Sequence, residues 1–358
     1  MKLDDLQAMA GLDPNRMLAR IEELPKQCLA AWEQAEELTL PVDYGAIDRL
    51  LIVGMGGSAI GGALLKGLVA DDCDVPITVI RGYTLPAYAY GPRTLVVACS
   101  YSGNTEETLS CFRQALERNT RAVTITTGGK LASLARDTSV PVVQFAYESQ
   151  PRAALGYSFI LLLGMAHRLG LIDDYTNRVA EAVEVMEDWQ EVIGARVPTA
   201  QNAAKQLATQ IAGRLPIVYG AGFLAAVANR WKTQFNENAR HWAFFEVLPE
   251  LNHNAVVGYT IPEIVRENSI VLVLRSDMDA QRIQERWDVT QKLMDNQGVA
   301  SEEAYGRGES ALAKMLSLIH FGDYVSFYLA MLNGVDPTPV ESIAFLKQRL
   351  AQLAQASE

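Results

Sequence analysis

Cysteine and histidine are scarce in this chain, and their spacing leaves the commonest metal and redox chemistries without support. The four cysteines, Cys28, Cys73, Cys99 and Cys111, contain no Cys-x-x-Cys pair. They read as reduced, mostly buried thiols rather than as a zinc or disulfide framework. Four histidines, His167, His241, His253 and His320, contain no His-x-His or His-x-x-x-His pair, so no metal is expected. Positive charge is short as well: 31 Lys and Arg stand against 42 Asp and Glu, a formal net charge of −11. With a pI near 5.0, general affinity for nucleic acid or an anionic membrane is not expected. The apolar stretch around Tyr157 to Ala166 is too short to span a bilayer. The opening residues, Met1-Lys-Leu-Asp-Asp, lack the basic start and apolar core of a signal peptide. The expectation is a soluble, cytoplasmic protein. There is no Gly-x-x-x-x-Gly-Lys-Ser/Thr anywhere, which argues against a nucleoside triphosphate with its magnesium.

What is present is apolar matter in quantity. At 358 residues, 49% of them hydrophobic, the chain is long enough for roughly two domains of ordinary size. Residues 13 to 40 read as two short helices, Pro14 to Leu24 and Lys26 to Leu38, broken at Pro25 and forming an N-terminal arm. The runs 50–53, 76–81, 94–99, 121–126 and 140–145 then alternate with helix-compatible segments. That alternation predicts a parallel sheet covered on both faces. Pro151 opens a long apolar helix from Arg152 to about Gly170, and residues 173 to 213 carry helical periodicity. After them the pattern restarts. Leu215 to Tyr219 runs into Gly220-Ala-Gly222, as Leu50 to Val53 runs into Gly54-Met-Gly56. Ser269 to Leu274 then takes the place of Thr94 to Cys99, with a helix from about Met278 to Asp295 behind it. The chain therefore reads as an internal duplication of one doubly wound α/β unit, ending in a proline-started helix through Lys347.

One stretch carries a distinct chemistry. Ser100-Tyr-Ser-Gly-Asn-Thr105 lies between an apolar strand and the helix-compatible run Glu106 to Leu116. A turn of this kind presents unpaired backbone N–H groups and the positive end of a helix dipole. Ser100, Ser102 and Thr105 add hydroxyl donors, and Gly103 lets the backbone curl around a ligand. A phosphate monoester fits the site. So does a plain serine-rich helix cap in which Thr105 only terminates the helix. The second copy has Arg275-Ser-Asp-Met-Asp279 instead, without glycine and with two carboxylates that would repel phosphate.

A dinucleotide reading competes with this one. Gly54-Met-Gly56-Gly-Ser-Ala59 and Gly220-Ala-Gly222-Phe-Leu-Ala225 both match Gly-x-Gly-x-x-Gly/Ala after a strand. Arg81, however, stands at the end of the next strand, where an acidic residue would meet the ribose. A tight glycine turn seating a phosphorylated ligand accounts for more of the sequence.

Five motifs taken together carry a resemblance: Met55-Gly-Gly-Ser-Ala-Ile-Gly-Gly62, Ser100 to Thr108, Pro151-Arg-Ala-Ala-Leu-Gly-Tyr-Ser-Phe159, Lys232-Thr-Gln-Phe-Asn-Glu-Asn238 and Asn252-His-Asn254. In this order they resemble the bifunctional phosphoglucose/phosphomannose isomerase family, which is built from two sugar isomerase (SIS) domains. Ala63 stands where that pattern has Asp, and Ala255 where it more usually has a polar residue. The resemblance implies two tandem doubly wound, flavodoxin-like SIS domains with a helical arm. The divisions are 1–40 for the arm, 41–195 for the phosphate-binding half and 196–358 for the half with the catalytic Glu and His. It implies that Ser100, Ser102 and Thr105 hold the phosphate of a hexose 6-phosphate, with Gly57 and Ser58 lining the same pocket. It implies Arg152 beside the reacting carbons, Glu237 as the base moving a proton between C1 and C2, and His253 assisting ring opening. Lys347 would lie near the ring oxygen or O1. The histidine would enter from a neighbouring subunit, so a homodimer with shared sites is implied, and no cofactor is needed.

Taken alone, Glu237 reads as a solvated residue of an amphipathic segment and His253 as a loop residue. Arg152 could pair with Glu148, and Lys347 could be an exposed helical lysine. A non-catalytic sugar-phosphate sensor and another aldose–ketose isomerase on the same scaffold are the competing functions.

Overall fold

A computed structural model describes residues 2–356. The arm comprises three helices rather than two: α1 (Leu6–Leu12), α2 (Met17–Glu22) and α3 (Leu24–Glu36). Asp13 starts α2 by accepting hydrogen bonds from Met17 N at 2.7 Å and Leu18 N at 2.9 Å. Pro25 does not break the arm. It lies in the first turn of α3, where its missing N–H has no intrahelical partner to lose.

The first sheet follows through β1 (Arg49–Val53), α4 (Gly56–Leu68), β2 (Ile77–Ile80), β3 (Thr94–Ser100), α5 (Glu106–Glu117), β4 (Arg121–Thr126), α6 (Gly129–Asp137) and β5 (Val142–Gln144). All its pairings are parallel, and the order is β2-β1-β3-β4-β5. The apolar helix expected from Arg152 is instead a short 3₁₀ turn, Pro151–Ala153, followed by α7 (Leu155–Arg168). Next come α8 (Thr176–Ile193) and α9 (Ala203–Ile211).

The second sheet comprises β6 (Leu215–Ala221), α10 (Ala225–Asn238), β7 (Phe244–Leu248), α11 (Glu263–Glu267), β8 (Ser269–Arg275), α12 (Gln281–Gln297) and β9 (Ser301–Tyr305). Its order, β7-β6-β8-β9, repeats the first sheet's through four parallel strands. The chain closes with α13 (Ala311–Leu332) and α14 (Glu341–Ala356).

Side-chain alternation divides each strand between two packing layers. Leu50 and Ile52 of β1 join Val218 of β6, Leu272 of β8 and most of α13 in one continuous core, while Leu51 and Val53 face a separate cluster with Leu85 and Cys111. The two sheets are thus joined through a shared layer that includes α3, α4, α7, α10 and α13. Helix α13 is long and apolar enough to cross a membrane, and 94% of its most apolar stretch is buried inside the protein. A helix apolar on every side is what a position between two layers demands. The thiols of Cys28, Cys99 and Cys111 are buried.

Candidate functional site

In the first sheet the strand order reverses direction between β1 and β3, and in open parallel sheets ligands bind at such a switch point, outside the strands' carboxyl ends. Two turns flank it. The turn after β1 carries Gly54 to Ser58, and the turn after β3 carries Ser100 to Thr105. They are joined directly, since Tyr101 N donates to Ser58 Oγ at 3.2 Å.

Within the second turn, Ser100 Oγ and Thr105 Oγ1 are 2.9 Å apart, and Asn104 N donates to Ser102 Oγ at 3.2 Å. Thr105 occupies the N-cap position of α5, yet its side chain makes no capping hydrogen bond. Its hydroxyl faces Ser100, so the first N–H groups of α5 keep no side-chain partner. Gly103 is held at φ +66°, and a Cβ there would lie 1.8 Å from the Gly128 carbonyl oxygen. No other residue fits. The neighbouring turn pins the loop further, with Leu131 N donating to Gly103 O at 2.9 Å and Lys130 N to Asn104 Oδ1 at 3.2 Å.

The start of α4 brings a third segment to the crevice. A Cβ on Gly57 would meet the Pro151 carbonyl oxygen at 2.9 Å, so the Pro151–Ala153 turn rests against the helix terminus. This places Arg152, which is 3% exposed. Its Nε donates to Asn238 Oδ1 at 2.7 Å, and Nη2 donates to Pro337 O at 2.6 Å and Thr338 O at 2.9 Å. Nη1 faces Glu237 Oε2 at 3.6 Å. Burial pulls the guanidinium below its ordinary value and the Glu237 carboxylate acts the other way. Arg nevertheless stays charged. Among the described residues Glu148, the alternative partner, forms no ion pair with it; Glu237 does. Arg230 supports the same segment, donating from Nη2 to Arg152 O at 2.8 Å and to Asp323 Oδ2 at 2.9 Å.

Glu237 is half-buried at the last turn of α10, whose other face, through Val227, Trp231, Phe235 and Asn238, packs inward. The Ser100 turn, Gly57, Ser58, Arg152 and Glu237 therefore form one connected group. His253 does not join it within the chain. It ends a 3₁₀ turn, Glu250–His253, beyond the edge strand β7, and is exposed. Its neighbours are tethered, Asn252 to Thr290 and Asn254 to Glu250, but no hydrogen bond or ion pair engages His253 among the described residues. Lys347 is exposed on α14 and likewise makes no such contact with Arg152, Glu237 or His253.

The sequence reading missed Asn238, Arg230, Asp323 and the Pro337–Thr338 carbonyls. One signal was available: Asp323 interrupts an otherwise apolar run, and a charge in such a position requires a buried partner. Among the described residues there is no group of three or more His, Cys, Asp or Glu side chains able to hold a metal ion.

A two-sheet parallel scaffold with a hydroxyl-rich turn at its switch point, and an Arg–Glu pair beside it, belongs to the SIS class. The family model for the bacterial phospho-glucose isomerase C-terminal SIS domain matches residues 200–350. The chain is 43% identical over 340 residues to the bifunctional phosphoglucose/phosphomannose isomerase of Caldicellulosiruptor bescii, covering 94% of this chain and 99% of that protein. It is 34% identical over 336 residues to the Aquifex aeolicus protein of the same name, covering 93% and 100%. A hypothetical protein from Thermus thermophilus shares the fold, with a TM-score of 0.75 at 16% identity over 98% of this chain and 94% of that one. The chain belongs to the bifunctional phosphoglucose/phosphomannose isomerase family and is an isomerase.

Proposed function

We propose that this isomerase interconverts glucose 6-phosphate and mannose 6-phosphate with fructose 6-phosphate, acting as a cytoplasmic homodimer. The observation that carries the reading is the Arg152–Glu237 pair at 3.6 Å, joined through Gly57 and Ser58 to the Ser100 turn. In the proposed mechanism the Ser100, Ser102 and Thr105 hydroxyls, with the N-terminal N–H groups of α5, hold the phosphate, and Gly57 and Ser58 line the same end. Remote binding energy then orients the sugar for reaction. Glu237 takes the proton from C2 of the open aldose. The C–H electron pair becomes the C1–C2 double bond, and the charge that gathers on O1 faces Arg152 Nη1. The O2 hydroxyl proton passes to O1 through the cis-enediol, and return of the carbon-bound proton from Glu237 to C1 leaves O2 as the carbonyl oxygen of the ketose. A positioned base of this kind contributes about 10²- to 10⁴-fold, and the fixed guanidinium stabilises the developing oxyanion.

His253 opens the ring in this scheme and Lys347 serves near the ring oxygen or O1, both reaching a site completed by a partner subunit. That arrangement is supported by their exposure and by the apolar surface around them. Beyond His253 on the same segment, Val257 is 81% exposed and Ile261 80%. Ile343, Leu346, Leu350 and Leu353 form a one-sided apolar stripe along α14.

The test runs both aldose phosphates in parallel through a coupled assay after treatment with chelator. Turnover of both is expected, and turnover of only one would remove the dual assignment. Glu237→Gln is expected to abolish exchange of the C2 proton with deuterated solvent while sugar-phosphate binding persists. Retained exchange would take Glu237 out of the base role.

A further inference from the structure

We propose that Asn238 is the positioning residue that aims Arg152 at the reacting carbons; this rests on the reading of Arg152 and Glu237 given above. A guanidinium has five N–H donors and no acceptor. In Arg152, Nε is taken by Asn238 and Nη2 by the Pro337 and Thr338 carbonyls. The two hydrogens on Nη1 remain, on the edge that faces Glu237. The clamp therefore selects which edge of the cation is left for a substrate oxygen.

Asn238 is suited to this task by its own restraints. It is fully buried. Because Arg152 can only donate, the atom at 2.7 Å from Nε must be the amide oxygen. The amide nitrogen then faces Ser326 Oγ, to which it donates at 2.9 Å, and Ser326 in turn donates to Asp323 O at 2.7 Å. The amide cannot flip without opposing donor to donor. Asp323 also holds Arg230, which holds the Arg152 backbone carbonyl. Helices α10 and α13 thus grip Arg152 at both its carbonyl and its guanidinium. Asn238 also follows Glu237 directly at the end of α10, so one helix terminus carries the base and sets the direction of its electrostatic partner. Hydrogen bonds held in advance at the place where charge develops require no reorganisation during the reaction.

Three variants test this: Arg152→Ala, Asn238→Ala and Asn238→Asp, each assayed for kcat and KM with fructose 6-phosphate. Arg152→Ala is expected to lower kcat by about 100-fold or more, the scale of a lost oxyanion donor. Asn238→Ala is expected to lower kcat by about 10- to 100-fold with KM changed less than about threefold, because the phosphate end of the site is untouched. Asn238→Asp keeps an acceptor for Nε and is expected to recover most of that loss.

An Asn238→Ala enzyme with kcat within twofold of the parent, beside an inactive Arg152→Ala, overturns the inference and leaves the reading of Arg152 standing. Equal losses in the Ala and Asp variants mean that Asn238 only supports the fold, and also overturn it. If Asn238→Ala does not fold, the Asp variant decides alone, and a kcat lowered as far as in Arg152→Ala overturns the inference. Full activity in Arg152→Ala removes the underlying reading and the inference with it.

Discussion

The turns after β3 and β8 occupy equivalent places in the two sheets and each closes on a backbone hydrogen bond three residues long, although only the first has a left-handed residue, Gly103 at φ +66°, and their chemistry has diverged. In the first, Gly103 N donates to Ser100 O at 3.1 Å and Asn104 N to Ser102 Oγ at 3.2 Å. In the second, Asp279 N donates to Ser276 O at 3.3 Å and Met278 N to Ser276 Oγ at 3.0 Å. The glycine turns that precede them also match, Gly56 at φ +51° and Gly222 at φ +50°. The side chains differ in what they serve. In the first, the Ser100 and Thr105 hydroxyls bond each other and, among the described residues, Thr105 leaves the first N–H groups of α5 uncapped. In the second, Asp279 accepts from Trp287 Nε1 at 3.2 Å, Asp277 pairs with Lys314 at 2.9 Å, and Arg275 is held between Asp288 at 3.1 Å and Glu303 at 2.7 Å. The second turn's carboxylates, which the sequence marks as hostile to phosphate, are engaged by their own half of the molecule. One copy has a hydroxyl-rich turn ahead of α5, and the other turn is tied into its own half of the molecule, which also carries Glu237 and Arg230.

Substitutions in the two copies should separate the two roles. The largest effect is expected from Gly103→Ala. Its Cβ collides with the Gly128 carbonyl at 1.8 Å, so the loop must move and KM for the sugar phosphate should rise by about 100-fold or more, the worth of one or two hydrogen bonds to a charged group. Ser100→Ala and Thr105→Val each remove one hydroxyl and should raise KM by about tenfold with a small change in kcat. An unchanged KM in both would detach this turn from phosphate. Gly222→Ala meets nothing closer than an Asp279 oxygen at 4.0 Å. It should lower stability by about 1 kcal/mol, from the left-handed backbone alone, with kinetics unaltered in a steady-state assay.

Asp279 gives the smallest effect, read from pH. Burial raises its carboxyl above the ordinary value of 3.8, against the Trp287 hydrogen bond. Between that value and the raised one, the folded chain keeps a proton that the unfolded chain has released, so stability falls as pH rises through the window. Asp279→Asn should flatten this slope in denaturant titrations taken across acid pH. A slope unchanged by the substitution would assign it to other carboxyls.

Strands buried on both faces were legible as apolar runs, as with Leu50 to Val53, Thr94 to Cys99, Arg121 to Thr126 and Ser269 to Leu274. The first sheet's edge strands, within the runs 76–81 and 140–145, were legible too, but those of the second sheet were not. In β7, Phe244 is 42% and Phe245 37% exposed, and β9 reads Ser-Glu-Glu-Ala-Tyr with only Ala304 buried. Neither presents a continuous run, because half of each strand faces away from a core. The arm illustrates a different failure, since a proline in the first turn of a helix and a proline between helices look alike in a one-dimensional reading. At the site, motif order pointed to Ser100, Arg152 and Glu237, but the partners of Asn238 and Asp323 required the tertiary structure. Their partners lie 86 residues away for Asn238, at Arg152, and 93 for Asp323, at Arg230.

Local chemistry is written in adjacent residues. A glycine that must take positive φ, hydroxyls ahead of a helix and an apolar run of strand length each act over a few positions, so the duplicated architecture and the Ser100 turn could be read along the chain. Direction is not written there. Which edge of the Arg152 guanidinium stays open depends on Asn238, on two carbonyls at Pro337 and Thr338, and on a shared helical layer that brings α10 and α13 to the crevice. Such a choice is made only when distant segments pack, because a cation with five donors has no preferred edge until its neighbours occupy the others.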